Sequence, residues 1–555
     1  MSWIADQEDI HVTTPFNNDP IRPRDIRSVL QKKSSSSPGP DGIPYGFLKN
    51  LPSIHHILAT LFNRLIEKSQ VPSAWQQASI ILIHKNGDSN NPSNYRPIAL
   101  TSTIGKVFNS IMSKRIQSFT RSNNIIDTKV QKGFLDNLSG CTEHSLVLQN
   151  IIRHARRTKH ALHCIWLDLR NAFGSVRHDY LSFIINHYNL PQWLQSYINS
   201  LYSNICASIT TPLYHTARIQ LAKGVFQGDT LSPILFLLAI NPILRYLAKE
   251  SSYGYLFHNK RVNALAYADD LTVITSNQRA GERILKQTNE KFKAIDLHLK
   301  PSKCKSLSIV QGICKDTTFK IQDESVGNIK NNKFKFLGST VFSKNQESNI
   351  QAEIQTNLET ELKQIDQLPI RGSYRTKLYN IHTTSHLRFL LSIHNLSTSA
   401  LAKMDTTTRR YLRRWLKLPN STNIDILFHS KGLSIKLPTF LYDHGHLTTE
   451  SNPSDENVSA AILEQNNNSG NCRTEHKTFI TTTSKQANSK ELKKKSDKAF
   501  EEHAESLNTQ GEWNSLIQLQ NNDSSFKALI SGLSKSTYRW LFKAITITAP
   551  TMSHA

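Results

Sequence analysis

A chain of 555 residues exceeds what one ordinary hydrophobic core serves, so two to four modules are expected. Its 67 lysines and arginines outnumber 43 acids, and the resulting charge of +24 favours a polyanionic partner, nucleic acid before an anionic membrane surface. Six cysteines without a C-x-x-C pair exclude a disulfide framework and a zinc finger, and the polar, acidic opening MSWIADQEDI argues against a secretory signal.

In chain order, residues 1–50 read as an extension ending in the turn-rich run SSSSPGPDGIP, a loop that precedes the first helix. From there to residue 345, helical patterns alternate with short β-rich runs: ASIILIHK (78–85), HCIWLDL (163–169) and LTVIT (271–275). That mixture is α+β. The apolar stretch LSPILFLLAINPIL (231–244) is shorter than the about 20 residues of a bilayer span and contains two prolines, so it reads as a buried helix and no membrane partner is expected. Residues 346–450 turn helical, in runs such as IQAEIQTNLETELKQI and LRRWLKL. Residues 451–510 read as a polar, low-complexity linker, and 511–555 as the start of a further helical segment.

The chemistry-bearing residues are acids at strand ends. Asp269 and Asp270 sit between the apolar runs of ALAYADDLTVI, where a tight β-hairpin connection belongs. Such turns want positive φ, which Ala, Asp and Asp supply poorly, so turn chemistry alone does not explain these acids. Asp168 closes the apolar strand HCIWLDL at what reads as the rim of a site. Carboxylates from separate strands can hold two Mg²⁺ (or Mn²⁺) ions about 3.5–4 Å apart for in-line phosphoryl transfer. Lys85 and Arg96, in IILIHKNGDSNNPSNYRPIAL, are candidate phosphate-binding cations. Gly224 and Gly228, in KGVFQGDTLSPILF, allow a nucleotide or template close to the backbone before a helix capped near Asp229.

Eight segments in order, SSPGPDGIP, HKNGDSNNPSNYRPIALTSTIGKVF, QKGF, IWLDLRNAFGSV, GVFQGDTLSPILF, YADD, LKPSKC and FKFLGS, resemble the reverse transcriptase domain of non-LTR, LINE-type retrotransposons. The resemblance implies a right-hand polymerase: fingers and a palm with an antiparallel sheet over 51–345, a helical thumb or connection over 346–450, then a helical and partly disordered C-terminal region. It implies RNA-directed DNA synthesis from an RNA template, a DNA primer and deoxynucleoside triphosphates. Asp168, Asp269 and Asp270 become metal ligands, and Lys303 a proton donor to the departing pyrophosphate. Lys85, Arg96, Phe173, Gln227 and Gly228 become nucleotide-binding residues. Phe173 is also placed to exclude a ribose 2′-hydroxyl. Tyr267, Phe336, Leu337 and Gly338 are expected to position nucleic acid.

The pattern departs at Gly174, where many relatives carry aspartate, and at His84, where proline is common. No nuclease is recognisable upstream and no Cys/His cluster downstream, so priming is expected to use a separate nuclease or an existing 3′ end. Nuclear residence follows by analogy. The alternative reading is a catalytically inactive, nucleic-acid-binding retroelement remnant.

Overall fold

In a computed structural model of the chain, the described residues are Ile4, 12–468 apart from 35, 212–213, 250–252, 331–332, 345, 421–423, 425–426, 429–432 and 451–452, and also 493–494 and 497–498. The chain divides into two compact units, one of residues 1–140 and 159–328, the other of 141–158 and 329–555. The division therefore falls before residue 329 and not after 345, and most of the helix Gly140–Thr158 goes with the second unit.

Two sheets organise the first unit. The smaller has the order β2-β1-β4-β5, built from β1 (Gln77–His84), β2 (Tyr95–Thr101), β4 (Cys206–Ile209) and β5 (Ile219–Gln220). The larger runs β11-β10-β3-β9-β8, with β14 (Gly327–Asn328) beside β10. Its members are β3 (Leu162–Leu167), β8 (Ala264–Tyr267), β9 (Asp270–Thr275), β10 (Lys305–Val310) and β11 (Ile313–Lys315). Small hairpins complete the unit: β6 (Tyr255–Phe257) with β7 (Lys260–Val262), and β12 (Lys320–Ile321) with β13 (Glu324–Ser325).

Every residue of β3 is buried, which explains why LHCIWL reads as a continuous run and not as an alternation: both faces of this central strand are covered. The helix Ser232–Lys249 takes in all but Leu231 of the apolar stretch read as buried; it is apolar enough to cross a membrane by length and composition, but 72% of it lies inside the protein. The sequence reading placed a loop before the first helix, whereas Pro23–Gln31 is already helical. Its signals were present: proline opens the first turn, Asp25 accepts from the Arg22 amide at 2.8 Å, and Ile26, Val29 and Leu30 form one buried stripe.

Among its described residues the second unit is helical apart from one hairpin, β15 (Lys333–Phe336) with β16 (Ser339–Phe342). In the helix Gln346–Gln367, Ile350, Ile354, Leu358, Leu362 and Ile365 are buried at helical spacing, against Leu401, Met404, Leu412 and Trp415 of Thr398–Leu416 in the same core. Gln149 of Gly140–Thr158 donates to Ser339 Oγ at 3.0 Å and to the Thr340 carbonyl at 3.1 Å, which ties that helix to the hairpin. The expected linker opens with a helix, Glu456–Asn468, whose Val458 and Ala461 are buried and whose Glu464 binds Arg157 at 2.8 Å. Beyond Asn468 the linker, apart from 493–494 and 497–498, and the segment 511–555 lie outside the described residues.

Asp229 is the polar centre of the first unit. Both oxygens of its buried carboxylate accept from Asn109 Nδ2 (3.1 and 3.0 Å), and the carboxylate also accepts from the Leu231 amide (2.8 Å) and Thr101 Oγ1 (3.3 Å), while Asn109 accepts from Tyr197 (2.7 Å). Burial raises its pKa, and these donors and Lys106 oppose the shift only in part. A carboxyl with a raised folded pKa favours the fold most below the unfolded value, and that contribution is lost as pH rises through the folded pKa. In urea unfolding from pH 4 upward, wild type is therefore expected to lose stability relative to Asp229→Asn; a constant difference across that range would contradict the assignment.

Candidate active site

The register pairs Tyr267 with Asp270, so Ala268 and Asp269 alone make the connection between β8 and β9. Ala268 lies at φ +55°, a left-handed conformation that costs a non-glycine residue roughly 1–3 kcal/mol and persists only when neighbours enforce it. Gln131 supplies the enforcement. Its side-chain oxygen accepts from the Ala268 amide at 2.8 Å and the Gly133 amide at 2.7 Å, and its Nε2 donates to the Ala268 carbonyl at 3.2 Å. The neighbouring backbone pairs too, with Ala266 N–H to the Val130 carbonyl at 2.7 Å and Lys132 N–H to the Ala266 carbonyl at 3.0 Å. Gly133 fits because a Cβ there would stand 2.2 Å from the Ala268 nitrogen. QKGF gives Gln131 no role in the sequence, because its burial and its partners at Ala268 come from a turn far along the chain.

Asp168 arrives from the neighbouring strand. β3 pairs Leu167 with Leu271, so the next residue out on each strand is Asp168 and Asp270, side by side at the ends of two interior strands. The Asp168 amide donates to Cys304 Sγ (3.4 Å) and its carbonyl accepts from the Lys300 amide (2.8 Å). Those bonds fold the LKPSKC segment against the acid and bring the charges of Lys303 and Lys300 to it.

All three carboxyls have raised pKa values. Desolvation leads for Asp168, opposed by Lys303, Lys300 and Lys85. It leads again for Asp269, where the hydrogen bond from its own amide opposes it, Asp168 adds to it and Arg96 opposes it. Asp270 keeps a solvent-exposed edge, yet the surrounding protein desolvates it, and with Asp269 and Asp168 pushes it up to about 6. These are oxygen-only donors, desolvated and mutually repelling, and that is a donor set a hard divalent cation relieves. Asp168, Asp269 and Asp270 fit Mg²⁺ or Mn²⁺.

The expected cations stand around them. Lys85 follows β1, its amide bonded to the Asn94 carbonyl (2.8 Å), and Arg96 pairs across the hairpin with Ile83; both side chains are exposed. Gln227 and Gly228 dock on the same hairpin: Ala99 N–H donates to the Gln227 carbonyl at 2.8 Å, and a Cβ on Gly228 would meet the Ala99 oxygen at 2.5 Å. Phe173 is half-buried, stacked on Phe236 with centroids 4.6 Å apart and edge-on to Phe134 at 6.0 Å, while Tyr267 lies 6.5 Å from Phe134. Its loop is fixed to the glycine loop through Val225 N–H to the Phe173 carbonyl (2.8 Å).

Both departures have local settings. A Cβ at Gly174 would stand 2.4 Å from the Asn171 side chain, so an acid at that position requires Asn171 to move. His84 packs its ring 5.1 Å from that of Tyr95.

Phe336, Leu337 and Gly338 belong to the second unit, where Leu337 (φ +46°) and Gly338 (φ +85°) form the two-residue turn between β15 and β16. A Cβ on Gly338 would stand 3.3 Å from Phe389, so the turn is packed on the helix Thr384–Ile393.

The sequence signature of the family described as reverse transcriptase (RNA-dependent DNA polymerase) matches residues 83–341, which takes in all three aspartates. The Pol polyprotein of the type-2 retrotransposable element R2DM of Drosophila melanogaster is 27% identical over 406 residues, 72% of this chain and 37% of that protein. The chain carries a reverse transcriptase domain of the non-LTR retrotransposon kind. The reverse transcriptase domain has a further relative in the R2 Pol polyprotein of Nasonia vitripennis, 26% identical over 76% of this chain and 40% of that protein. This chain thus spans about two-fifths of the length of these two relatives. Among solved structures, telomerase from Candida tropicalis with a fragment of telomeric RNA aligns over 79% of this chain and 68% of that one, at 12% identity and a TM-score of 0.38.

Gln131→Leu leaves the Ala268 amide and carbonyl and the Gly133 amide without their partner, a loss of about 1–3 kcal/mol or more. Urea unfolding should show it. Amide exchange should show Ala268 losing protection beyond the global loss; unchanged protection at Ala268 would mean the glutamine does not hold the turn.

Proposed function

We propose that the chain is an RNA-directed DNA polymerase that extends a DNA primer on an RNA template, using deoxynucleoside triphosphates and two Mg²⁺ (or Mn²⁺) ions. The observation that carries this reading is the meeting of Asp168, Asp269 and Asp270 at the ends of adjacent strands, within electrostatic reach of Lys85, Arg96, Lys300 and Lys303.

Asp168, Asp269 and Asp270 would hold the ions, whose chemistry there is to activate the primer hydroxyl and stabilise the leaving oxygen. The chain's own residues do the rest by position and charge. Lys85 and Arg96, on the connected ends of β1 and β2, grip the incoming triphosphate. Gln227 and Gly228 present a loop held to the same hairpin, so nucleotide and phosphate contacts share one rigid support. Phe173, braced by Phe236, presents a ring edge where a ribose 2′-hydroxyl would otherwise fit. Lys303, exposed beside Asp168, donates a proton to departing pyrophosphate. Tyr267 supports the primer end from the base of the hairpin, and Phe336, Leu337 and Gly338 serve in positioning nucleic acid. The template and primer backbones are held through the excess positive charge, so binding weakens as salt rises.

The test is deoxynucleotide incorporation by the full chain on a primed RNA template with Mg²⁺, beside Asp269→Ala/Asp270→Ala. Synthesis by wild type and a loss of at least about a thousandfold in the variant are expected. A folded wild-type chain that binds primer–template and never extends it would instead support the inactive remnant. For sugar selection, Phe173→Val is expected to raise ribonucleotide incorporation relative to deoxynucleotide, read as the ratio of kcat/KM values; an unchanged ratio removes the gate from Phe173.

A further inference from the structure

The helical unit gathers a second, chemically different ligand set. Glu361 lies on Gln346–Gln367, His382 in the π-helical turn Tyr379–Thr383, and His386 in the first turns of Thr384–Ile393. His386 Nδ1 is 2.9 Å from Glu361 Oε1, and His382 Nδ1 is 3.8 Å from Oε2. The two imidazole centroids are 4.5 Å apart, and one ligand atom from each residue falls within 4.8 Å of the others.

The arrangement leaves one group unsatisfied. Glu361 Oε1 has its bond to His386, but Oε2 is buried with no hydrogen-bond partner, since 3.8 Å to His382 exceeds hydrogen-bond range. A buried carboxylate oxygen without a donor is costly, and both rings turn Nδ1 toward this carboxylate, His386 to Oε1 and His382 to Oε2. The local backbone contributes too: single π-helical turns are rare and recur where a side chain must be re-aimed, and this one carries His382.

We propose that Glu361, His382 and His386 form a binding site for a transition-metal dication, Zn²⁺ being the best match. Two neutral imidazoles and one carboxylate make a three-ligand zinc set, with water in the fourth position. Ligand bonds of about 2.0–2.2 Å require the three atoms to draw together by roughly 1 Å, which the exposed histidines, with side chains 55% and 60% accessible, are free to do. The ion satisfies Oε2 and clips Gln346–Gln367 to the π turn and the helix after it. This donor set differs from the oxygen-only aspartates of the first unit, so the two sites sort cations by softness: Mg²⁺ to the carboxylates, Zn²⁺ here. The inference does not depend on polymerase activity.

The experiment titrates Zn²⁺ into the metal-stripped full chain in millimolar Mg²⁺, with a competing chromophoric chelator reporting stoichiometry and a melting curve at each ratio. Wild type is expected to take up one tight equivalent and melt a few degrees higher. His382→Ala/His386→Ala, both at exposed positions, should melt like metal-free wild type and lose that equivalent together with the shift. Glu361→Gln should weaken Zn²⁺ at least about tenfold. Uptake and melting shift equal in wild type and the double variant would place the zinc elsewhere and overturn the proposal, as would no tight uptake by wild type, which would leave the cluster an ordinary ion pair.

Discussion

Three carboxylates are held close together at the strand ends of one sheet against their own repulsion, and much of the first unit serves that constraint. Two like charges 4 Å apart repel by about 4 kcal/mol at an effective dielectric near 20. Desolvation adds to this at all three sites, and every one of the carboxyls is displaced upward. The fold answers with rigidity and with opposite charge. Rigidity comes from the Gln131 grip on Ala268 and from strand pairing that leaves Asp168 and Asp270 no freedom of register. Opposite charge comes from Lys85, Arg96, Lys300 and Lys303, and in the proposed working state from the divalent cations.

The loops around the acids hold one another through backbone. Gln227 is bonded to β2, which carries Arg96, and Gly228 lies close against the same strand; Val225 is bonded to the Phe173 turn; Lys300 is bonded to Asp168. Each proposed contact to nucleotide thus sits on a segment pinned to another such segment. Buried Asp229 closes the set, linking the end of β2, the helices of Asn109 and Tyr197, and the start of Ser232–Lys249. A shift in one loop is resisted by the others, which is what preorganised charge in a polymerase site requires.

The acids were legible in the sequence because their signals are local. An apolar strand ending in Asp168, and an Asp-Asp pair in a turn that ordinary turn chemistry does not favour, both pointed to the site the structure builds. The buried helix Ser232–Lys249 and the helical character of 346–450 were legible for the same reason, as runs of one periodicity. What escaped depends on distant partners. Gln131 lies in a short loop with no period to read, and its meaning comes from a turn far along the chain. Gly140–Thr158 is an ordinary amphipathic helix by pattern, and it is bonds such as those to Ser339, Thr340 and Glu464 that tie it to the second unit. The helix Glu456–Asn468 was hidden by polar neighbours, although Val458, Ala461 and Glu464 carry a buried face that is finished by Arg157. Pro23–Gln31 was readable, with proline, acid and apolar stripe all in place, and the turn-rich run that follows it obscured it.

The most direct test of the central constraint is thermal unfolding of the full chain at pH 7, metal-free and then with Mn²⁺, for wild type and Asp270→Asn. Replacing the carboxylate by its neutral isostere removes repulsion from Asp269 and Asp168, so the metal-free variant should melt above metal-free wild type. Mn²⁺ should then raise wild type and leave the variant nearly unmoved. A variant that melts below wild type without metal, together with equal Mn²⁺ shifts in both proteins, would contradict a site built on carboxylates held together for cations.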